Sequence, residues 1–546
     1  MMRVALRVAL LGAILLGATG TRAAPGDGVD LDTRTLTLVL EQEPPQLDSS
    51  RSTDQISFRI LGHVMEGLTR MDGAGHVVPG LAEHWEIRAD GARFRLREGA
   101  LWNDGVPVTA HDFVFAWRNL VDPRNASDYA FVLSGVAGAD AIVRGEAPVE
   151  ALGVRAVSDR ELEVVFERPI AWFDKLAAFQ TLLPLREDFY RARAGRYAAD
   201  ADEMLFTGPF VISRWSHGAR IELRRNPRYW DADSIWLNAI DFAYVTSDTS
   251  AMLNLFKDGR IALAPLDRET MQTALERRWR ILSFLDGSVF FVELNQRPGR
   301  PTANVHLRRA LALAFDGHEL VNRIVAVPGT LPTNTIFPSW LQGAKQRLRR
   351  EIPAPVHVAD QDAARRELEL AKQALGVTEI PPLVMLTDDA PGAVREAEFL
   401  QTLWGEVLGL EVRIDRQIFK QRLEKRRAGD FDFSYTGWGP DYDDPLTFGD
   451  LFASWNLNNR GRYASDDTDA CIRTAQSSID PVERVAAFDC IQRTLIADQA
   501  LIPTYERSLI YVVDPRMRGL IRRQAGTDPD YSRVWFAAPQ ASGAGD

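Results

Sequence analysis

The chain has 546 residues, of which 46% are hydrophobic and 25% charged, and its formal net charge at pH 7 is −11. At roughly 100 to 200 residues per domain, this length predicts two to four domains with ample hydrophobic core. The acidic balance excludes nucleic acid as an expected partner, because binding to a phosphate backbone requires a positive surface.

The first 23 residues have the three parts of a secretory signal sequence. Arg3 and Arg7 form a basic start, an apolar run follows over 8–16, and small residues lead to a cleavage site after Ala23. The apolar run is shorter than the ~20 residues that a membrane span requires. Removal of this segment, which contains three arginines and no acid, changes the formal charge from −11 to −14. No cysteine near the cleavage site offers a lipid attachment point, so we expect a soluble periplasmic protein.

The first half of the mature chain predicts a mixture of strands and helices. Alternating apolar residues predict three strands, over 35–40, 92–97 and 161–166. Between the last two, Thr109 and Asp112 form a capping box that begins a helix. These elements make 67–199 an α+β segment. Further along, 207–212 and 220–230 predict two short strands around a His-Gly turn.

The second half has the pattern of an α/β unit. Residues 383–386 predict a strand, 397–408 an amphipathic helix, and 410–414 the next strand. A strand, helix and strand in this order form a crossover between parallel strands. A further helix over 417–428 leads to a strand that ends at the loop 437–445. Ligands bind open sheets beyond the carboxyl ends of their strands, so this loop is placed for binding.

Two cysteines, Cys471 and Cys490, lie in a stretch that predicts paired helices. In an oxidising compartment they can form one disulfide. The closed loop is near the length for which chain-entropy models give roughly 3 kcal/mol of stabilisation. Two separately buried thiols are the alternative.

The loop 437–445, Gly-Trp-Gly-Pro-Asp-Tyr-Asp-Asp-Pro, is the most informative segment. It places Asp441 between Trp438 and Tyr442, whose rings can keep water away from the carboxylate, and its two prolines stiffen the backbone. Such a site suits capture of a cationic group. An ordinary surface turn is the alternative, because Asp and Pro are common in turns.

Catalytic signatures are missing from the sequence. It contains no Gly-x-Ser-x-Gly, no His-Glu-x-x-His, no Cys-x-x-Cys and no nucleotide-binding loop. The eight histidines are scattered singly, which is typical of surface and cap positions. The adjacent acids of the 437–445 loop rarely converge on one glycosidic bond. We therefore expect a binding protein without cofactor or metal, not an enzyme.

The chain resembles the extracellular solute-binding proteins of the peptide and nickel class, which deliver ligands to ABC importers. The segments that carry the resemblance are 65–68 (MEGL), 80–85 (GLAEHW), 102–113 (WNDGVPVTAHDF), 208–210 (GPF), 225–230 (RNPRYW), 305–311 (VHLRRAL) and the 437–445 loop. Their joint order and spacing are specific and extend over nearly all of the mature chain. The loop is most similar to that of the oligopeptide-binding branch, whereas dipeptide binders tend to show Asp-Asn-Gly-Asp-Pro there.

This resemblance implies a set of ligand contacts. The Asp that matches Asp441 pairs with the α-ammonium group of the ligand in the resembled proteins. The residues that match Thr53, Asp54 and Gln55 form strand-like hydrogen bonds with the peptide backbone, which give affinity without reading side chains. Tyr129 matches an aromatic residue that lines the cleft.

The resemblance covers four further positions. Phe419 takes the place of a cleft tryptophan. Arg426 and Arg297 match cations that meet the ligand carboxylate directly or through water. For Arg426, within a basic run on a helix, a solvated face is the alternative. Tyr435 stands where that branch often has another arginine, so the preferred ligand length or C-terminal chemistry can differ.

We therefore expect an α/β, two-lobed periplasmic-binding-protein fold, type II-like, with an extra α+β subdomain on the first lobe. The predicted lobe 1 takes residues 24–66, 200–292 and 506–546, the appended subdomain 67–199, and lobe 2 residues 293–505. The hinged lobes enclose an oligopeptide, and a monomer delivers it to ABC-importer permease subunits in the inner membrane. The alternatives are the same fold with another solute (murein peptide, nickel chelate, haem or opine) and an exported hydrolase.

Overall fold

The computed structural model describes residues 27–537 except residue 194, so the predicted signal sequence lies outside the described residues. The strands, in chain order, are β1 (Val29–Asp30), β2 (Thr35–Leu40), β3 (Thr69–Met71), β4 (Val77–Pro79), β5 (Ala82–Arg88), β6 (Gly91–Leu96), β7 (Val154–Ser158), β8 (Glu161–Val165), β9 (Phe210–Ser216), β10 (Arg220–Arg225), β11 (Ala239–Val245), β12 (Leu263–Leu266), β13 (Ile281–Leu294), β14 (Leu331–Pro332), β15 (Leu383–Asp388), β16 (Val412–Gln417), β17 (Phe433–Trp438), β18 (Leu501–Val513), β19 (Met517–Arg518) and β20 (Trp535–Phe536).

The helices, in chain order, are α1 (Gln55–Val64), α2 (Ala110–Val121), α3 (Ala139–Val143), α4 (Phe173–Leu176), α5 (Glu187–Ala192), α6 (Thr249–Lys257), α7 (Arg268–Glu276), α8 (Val305–Leu313), α9 (Gly317–Glu319), α10 (Leu348–Glu351), α11 (Gln361–Leu375), α12 (Pro391–Leu408), α13 (Phe419–Ala428), α14 (Leu446–Gly449), α15 (Asp466–Ser477) and α16 (Pro481–Ala497). Among the helices that the structure describes, none has the length and apolar character needed to cross a membrane.

Two sheets of four or more strands lie in the first half of the described chain. One has the order β1-β2-β11-β10-β9, and β9 and β10 form the predicted antiparallel hairpin. β10 ends at Arg225, earlier than predicted, because Pro227 has no N–H to donate to a neighbouring strand. The other sheet has the order β5-β6-β8-β7 and packs against α2, which confirms the α+β character of 67–199. α2 begins at the predicted capping box, where the Asp112 carboxylate accepts the Thr109 N–H at 2.9 Å.

The second half contains the predicted parallel unit. β15 pairs in parallel with both β16 and β17, and α12 crosses from β15 to β16. α12 ends at Gly409, whose φ of 65° is a left-handed conformation that glycine adopts without strain. The carboxyl ends of β15, β16 and β17 therefore lie at one edge of the sheet.

β13 and β18 are the longest strands described, and they pair antiparallel with each other. The predicted lobe boundaries, 292/293 and 505/506, fall inside these two strands. Their pairing register shifts between Leu285 and Val289 and again between Phe290 and Phe291, next to that boundary. A bend at these irregularities would move one lobe relative to the other. The division into lobes stays a prediction.

The helices α15 and α16 pack against each other and carry the two cysteines, which the structure joins in a disulfide with a Cα–Cα distance of 5.9 Å. Most of the large aromatic side chains lie in the hydrophobic core. Trp102, Trp117 and Trp404 are fully buried.

We expect loss of the disulfide to lower the free energy of unfolding by roughly 3 kcal/mol, because Cys471 and Cys490 are 19 residues apart and the bond restricts the unfolded chain. Urea unfolding with and without reductant measures this difference. A Cys471→Ser, Cys490→Ser double variant is the control, since reductant cannot change it. Equal midpoints for the oxidised and reduced wild-type protein would contradict the expectation.

Candidate functional site

The carboxyl-end edge of β15, β16 and β17 is where the two predicted lobes meet. The loop 439–445 follows β17 at this edge. The first lobe reaches it through Gln55, whose Nε2 would lie only 2.9 Å from a Cβ placed on Gly439. Glycine at 439 therefore permits the close approach of the two lobes.

Asp441 is buried at this junction, with 5% of its surface exposed. The Tyr129 hydroxyl, from the segment 67–199, donates to its Oδ1 at 2.9 Å. Its own N–H donates to Thr447 Oγ1 at 2.9 Å, which fixes the loop to α14. Among the described residues, no Lys, Arg or His nitrogen lies within 4.0 Å of the carboxylate. Asp441 is thus a buried acid that lacks a counter-charge.

Burial raises the pKa of Asp441 well above its ordinary range, and hydrogen bonds to Tyr129 and Thr447 oppose this rise without offsetting it. In the protein without ligand, the Asp441 carboxyl group is therefore neutral up to a higher pH than an exposed aspartate is. A cation placed beside it would reverse the shift, because an opposite charge favours the ionised form. The site is electrostatically complementary to an ammonium group.

The surroundings of Asp441 are aromatic. Tyr129 packs edge-to-face on Phe179 and Phe58, with ring centroids 5.1 Å and 5.9 Å apart, and lies 6.4 Å from Trp438. The half-buried Trp438 has an indole Nε1 that finds no hydrogen-bond partner among the described residues. Tyr442 is buried in the same hydrophobic cluster. The two rings predicted from the loop are therefore present, and Tyr129 adds both a third ring and a hydroxyl.

The segment Thr53, Asp54 and Gln55 lies at the start of α1. Asp54 is the N-cap, and its carboxylate accepts hydrogen bonds from the Ser57 N–H at 2.8 Å and the Ser57 hydroxyl at 2.7 Å. Burial raises the pKa of Asp54 to about 6. Within the described part of the chain, no hydrogen bond uses the amide or the carbonyl of Thr53. Thr53 therefore offers both backbone groups to an extended ligand, whereas Gln55 is already helical.

Two of the cavities along the junction border the predicted ligand-binding residues. A small one of about 20 Å³ is lined by Thr53, Leu423, Arg426, Arg427, Trp438, Asn458 and Arg460. A cleft of about 670 Å³ is lined by residues of the 41–48 segment and by Phe419 and Lys420. This volume is typical of pockets for small ligands. Phe419 lines this cleft, and its contact with a ligand stays a prediction.

The two predicted carboxylate-binding arginines have partners within the protein. The Arg426 guanidinium is buried and donates from Nε at 3.1 Å and from Nη2 at 2.7 Å to Glu293. Arg297 Nη1 donates to Asn295 Oδ1 at 3.0 Å and to the Arg460 carbonyl at 2.6 Å. The structure excludes a solvated face for Arg426. Contact of either residue with a ligand stays a prediction.

An ion-pair cluster joins segment 67–199 to lobe 2. The Asp128 carboxylate accepts hydrogen bonds at 2.7 Å from Nη2 of both Arg427 and Arg460. Burial acts to raise the pKa of Asp128, but the two arginines outweigh it, so the pKa is lowered. Lys175 Nζ also donates to the Asp443 carbonyl, at 2.8 Å. Segments 67–199 and 293–505 are therefore in contact around Asp441.

Sequence reasoning missed Asp128, Thr447 and the buried Arg422. Asp128 adjoins Tyr129, and only that adjacency could have drawn attention to it. The partners of Asp128 are 299 and 332 residues further along the chain. Thr447 has no motif of its own.

Tyr435, which stands where the oligopeptide-binding branch often has an arginine, is buried, and its hydroxyl donates to the Glu396 carboxylate. The Tyr505 hydroxyl donates to the same carboxylate at 3.0 Å. Burial raises the pKa of Glu396 from 4.5 to about 7, although both hydroxyls lower it. The folded protein therefore holds a proton that the unfolded chain loses near pH 4.5. The stability that this proton contributes is complete below pH 4.5 and is lost as the pH rises through about 7.

We expect the melting temperature of the wild-type protein to fall between pH 5 and pH 8 by more than that of a Glu396→Gln variant, because the amide does not titrate. Differential scanning calorimetry at both pH values measures the two changes. Asp450, whose pKa burial also raises to about 7, is intact in both proteins, so only the difference between them reports on Glu396. Equal decreases would contradict the prediction.

Comparison with known proteins identifies the family to which the chain belongs. The family model of bacterial extracellular solute-binding proteins, family 5 (middle), matches residues 76–459. The chain belongs to this family. It is 30% identical to the probable deoxycholate-binding periplasmic protein YgiS of Escherichia coli K12, over 87% of this chain and 89% of that protein. It is 29% identical to the periplasmic oligopeptide-binding protein OppA of Salmonella typhimurium LT2, over 95% of each chain.

A crystal structure of the substrate-binding domain of an oligopeptide ABC transporter from Bacillus anthracis has the same fold. It superimposes with a TM-score of 0.88 at 31% identity and covers 93% of this chain and 99% of that one. The predicted two-lobed α/β fold is therefore confirmed. Family 5 consists of solute-binding receptors rather than enzymes, which agrees with the missing catalytic signatures.

Proposed function

We propose that this family 5 protein is a periplasmic receptor that encloses an oligopeptide between its lobes and delivers it to an ABC importer. The observation that carries the proposal is Asp441, a buried carboxylate without a cation at the junction of the lobes. A peptide α-ammonium would supply the missing charge. The relatives from Salmonella typhimurium and Bacillus anthracis, named for oligopeptides, support this choice of solute.

The neighbouring groups take complementary parts. Trp438, Tyr129 and Tyr442 keep water from the ion pair, which strengthens it. The free amide and carbonyl of Thr53 form strand-like hydrogen bonds with the backbone of the bound peptide. The affinity that they give does not depend on the side chains of the peptide. The cleft beside Phe419 accommodates side chains of varied size.

Closure of the lobes signals a loaded receptor to the permease subunits in the inner membrane. We expect a monomer, secreted to the periplasm by the predicted signal sequence. Cell fractionation and light scattering of the purified protein measure both properties.

Mass spectrometry of ligands released from the natively purified protein tests the proposed solute. We expect peptides of varied sequence that share a free amino terminus. The protein is then emptied of ligand and titrated with a peptide library and with the N-acetylated form of the same library. We expect only the library with free amines to bind tightly. Deoxycholate, named for the Escherichia coli relative, has no ammonium group and serves as the comparison ligand. Preferential binding of deoxycholate, or equal binding of both libraries, would contradict the proposal.

A further inference from the structure

A further cavity, of about 310 Å³, lies where segments 67–199 and 293–505 meet. It shares no lining residue with the two cavities beside the predicted ligand-binding residues. Its volume is at the lower end of the range for small-ligand pockets. Four of its walls are apolar, two from each segment: Phe131, Val143, Trp455 and Leu457. A molecule bound here would therefore touch both segments.

Three of these walls are exposed. The exposed fractions are 39% for Val143, 38% for Trp455 and 37% for Leu457. Exposed apolar surface that is surrounded by polar residues is typical of binding sites. The large flat ring of Trp455 suits an aromatic partner, because aromatic rings pack favourably on one another.

Buried hydrogen bonds fix the loop that presents Trp455 and Leu457. Asn456 and Asn458 alternate with them along the chain, and both asparagines are buried. Their Nδ2 atoms donate to backbone carbonyl groups at 2.7 Å and 3.2 Å, and the second carbonyl is that of Asp128 in the other segment. The two apolar side chains are therefore held in one arrangement, as a binding site requires.

The charged groups around the cavity favour an anion. Three arginines, Arg144, Arg168 and Arg473, line it together with the acids Asp128 and Asp140. Asp128 is already paired with two arginines outside the cavity, and Asp140 lies 3.7 Å from the Arg168 guanidinium. Arg144 pairs with the glutamate two residues further on, at 2.8 Å. Arg473 forms no ion pair within the described part of the chain.

Arg473 lies beside the aromatic wall. Its guanidinium is 5.3 Å from the centroid of the Trp455 ring, and both side chains are exposed. A guanidinium binds a carboxylate through two parallel hydrogen bonds. We infer that this cavity is a second ligand site, which binds a small aromatic carboxylate with its ring against Trp455 and its carboxylate on Arg473.

The second site is linked to the Asp441 site through stacked rings. Phe131, in the wall of the cavity, stacks on Tyr129 with the ring centroids 5.7 Å apart, and Tyr129 donates to Asp441. A molecule that touches both segments favours the arrangement in which they are in contact. The carboxylate and the peptide should therefore raise each other's affinity, and this coupling rests on the proposed function.

The test uses biphenyl-4-carboxylate as the probe and biphenyl-4-carboxamide, which has the same rings without the charge, as its control. Both are titrated calorimetrically, without peptide, into emptied wild-type protein and into the Arg473→Gln, Trp455→Ala and Arg277→Gln variants. Arg277 is exposed and lies 5.5 Å from the centroid of the Trp279 ring, so its variant removes a similar cation that does not line the cavity. Thermal unfolding checks the fold of each variant.

We expect the wild type and Arg277→Gln to bind one equivalent of the carboxylate, roughly tenfold or more tighter than the amide. Arg473→Gln should bind acid and amide equally, and Trp455→Ala should weaken the binding of both roughly tenfold. A preference for the acid that survives in Arg473→Gln would overturn the inference, and so would a wild type that does not bind the probe.

Titration with the tightest-binding library peptide measures the coupling. With saturating biphenyl-4-carboxylate, the wild type should bind this peptide roughly fivefold or more tighter, and Arg473→Gln should show no change. Weaker peptide binding would place the probe in the peptide cleft and overturn the inference, and unchanged binding would overturn the coupling. If no library peptide binds without the probe, the proposed function fails, whereas the titrations without peptide still decide the second site.

Discussion

Asp441→Asn should weaken binding of a free-amine peptide by about two to three orders of magnitude. An enclosed ion pair that loses one member costs roughly 3 to 5 kcal/mol, and each 1.4 kcal/mol is about tenfold in affinity. The amide keeps the shape of the side chain and can still accept the Tyr129 hydroxyl, so the variant removes charge with little change in packing. Calorimetric titration of both proteins with the same peptide measures the ratio of dissociation constants.

The stability of the same variant is its control. The pKa of Asp441 is raised above the unfolded value of 3.8, so its contribution to stability is present at low pH and is lost as the pH rises through the folded pKa. Without peptide, Asp441→Asn should therefore melt no earlier than the wild type at pH 8. A variant that lost binding and also unfolded early would assign Asp441 a structural role instead.

Asp128→Asn should weaken peptide binding by roughly ten- to hundredfold by opposing closure of the lobes. Asp128, from segment 67–199, accepts charged hydrogen bonds from Arg427 and Arg460 of lobe 2. Hydrogen bonds to charged groups contribute about 1.5 to 3 kcal/mol, which gives that range of affinity. Small-angle X-ray scattering with saturating peptide should show a larger radius of gyration for the variant, and titration gives its affinity.

Asp122→Asn is the matched control for closure. Asp122 pairs with Arg124 two residues away, within segment 67–199, so this pair does not link the lobes. The control should close and bind as the wild type does. If Asp128→Asn also closed and bound as the wild type does, the Asp128 cluster would have no part in closure.

Local signals in the sequence predict most of the elements that build the site. The capping box of Thr109 and Asp112 begins α2, and Gly409 ends α12, because each acts through neighbours a few residues away. The parallel order of β15 and β16 follows from the helix between them. The same reasoning places Asp441 at a carboxyl end of the sheet, since a strand leads directly into its loop.

Partners that are distant in sequence could not be predicted in this way. Tyr129 meets Asp441 across 312 residues, and no periodicity in either segment indicates that contact. Arg426 and Arg422 belong to one basic helix, and Arg426 pairs with Glu293 whereas Arg422 pairs with Asp388. The sequence shows that the helix carries basic side chains, whereas only the folded structure shows which acid pairs with each of them.

A double-mutant cycle shows whether the Asp441 carboxylate recognises the amino terminus of a peptide. Wild-type protein and Asp441→Asn are each titrated with one peptide carrying a free amine and with its N-acetylated form. We predict that acetylation weakens binding to the wild type by about two to three orders of magnitude and has little effect on Asp441→Asn, because the same ion pair is removed from either side. Equal losses on acetylation in the two proteins would show that the amine and the carboxylate do not interact, so that Asp441 is not the group that binds the peptide amino terminus.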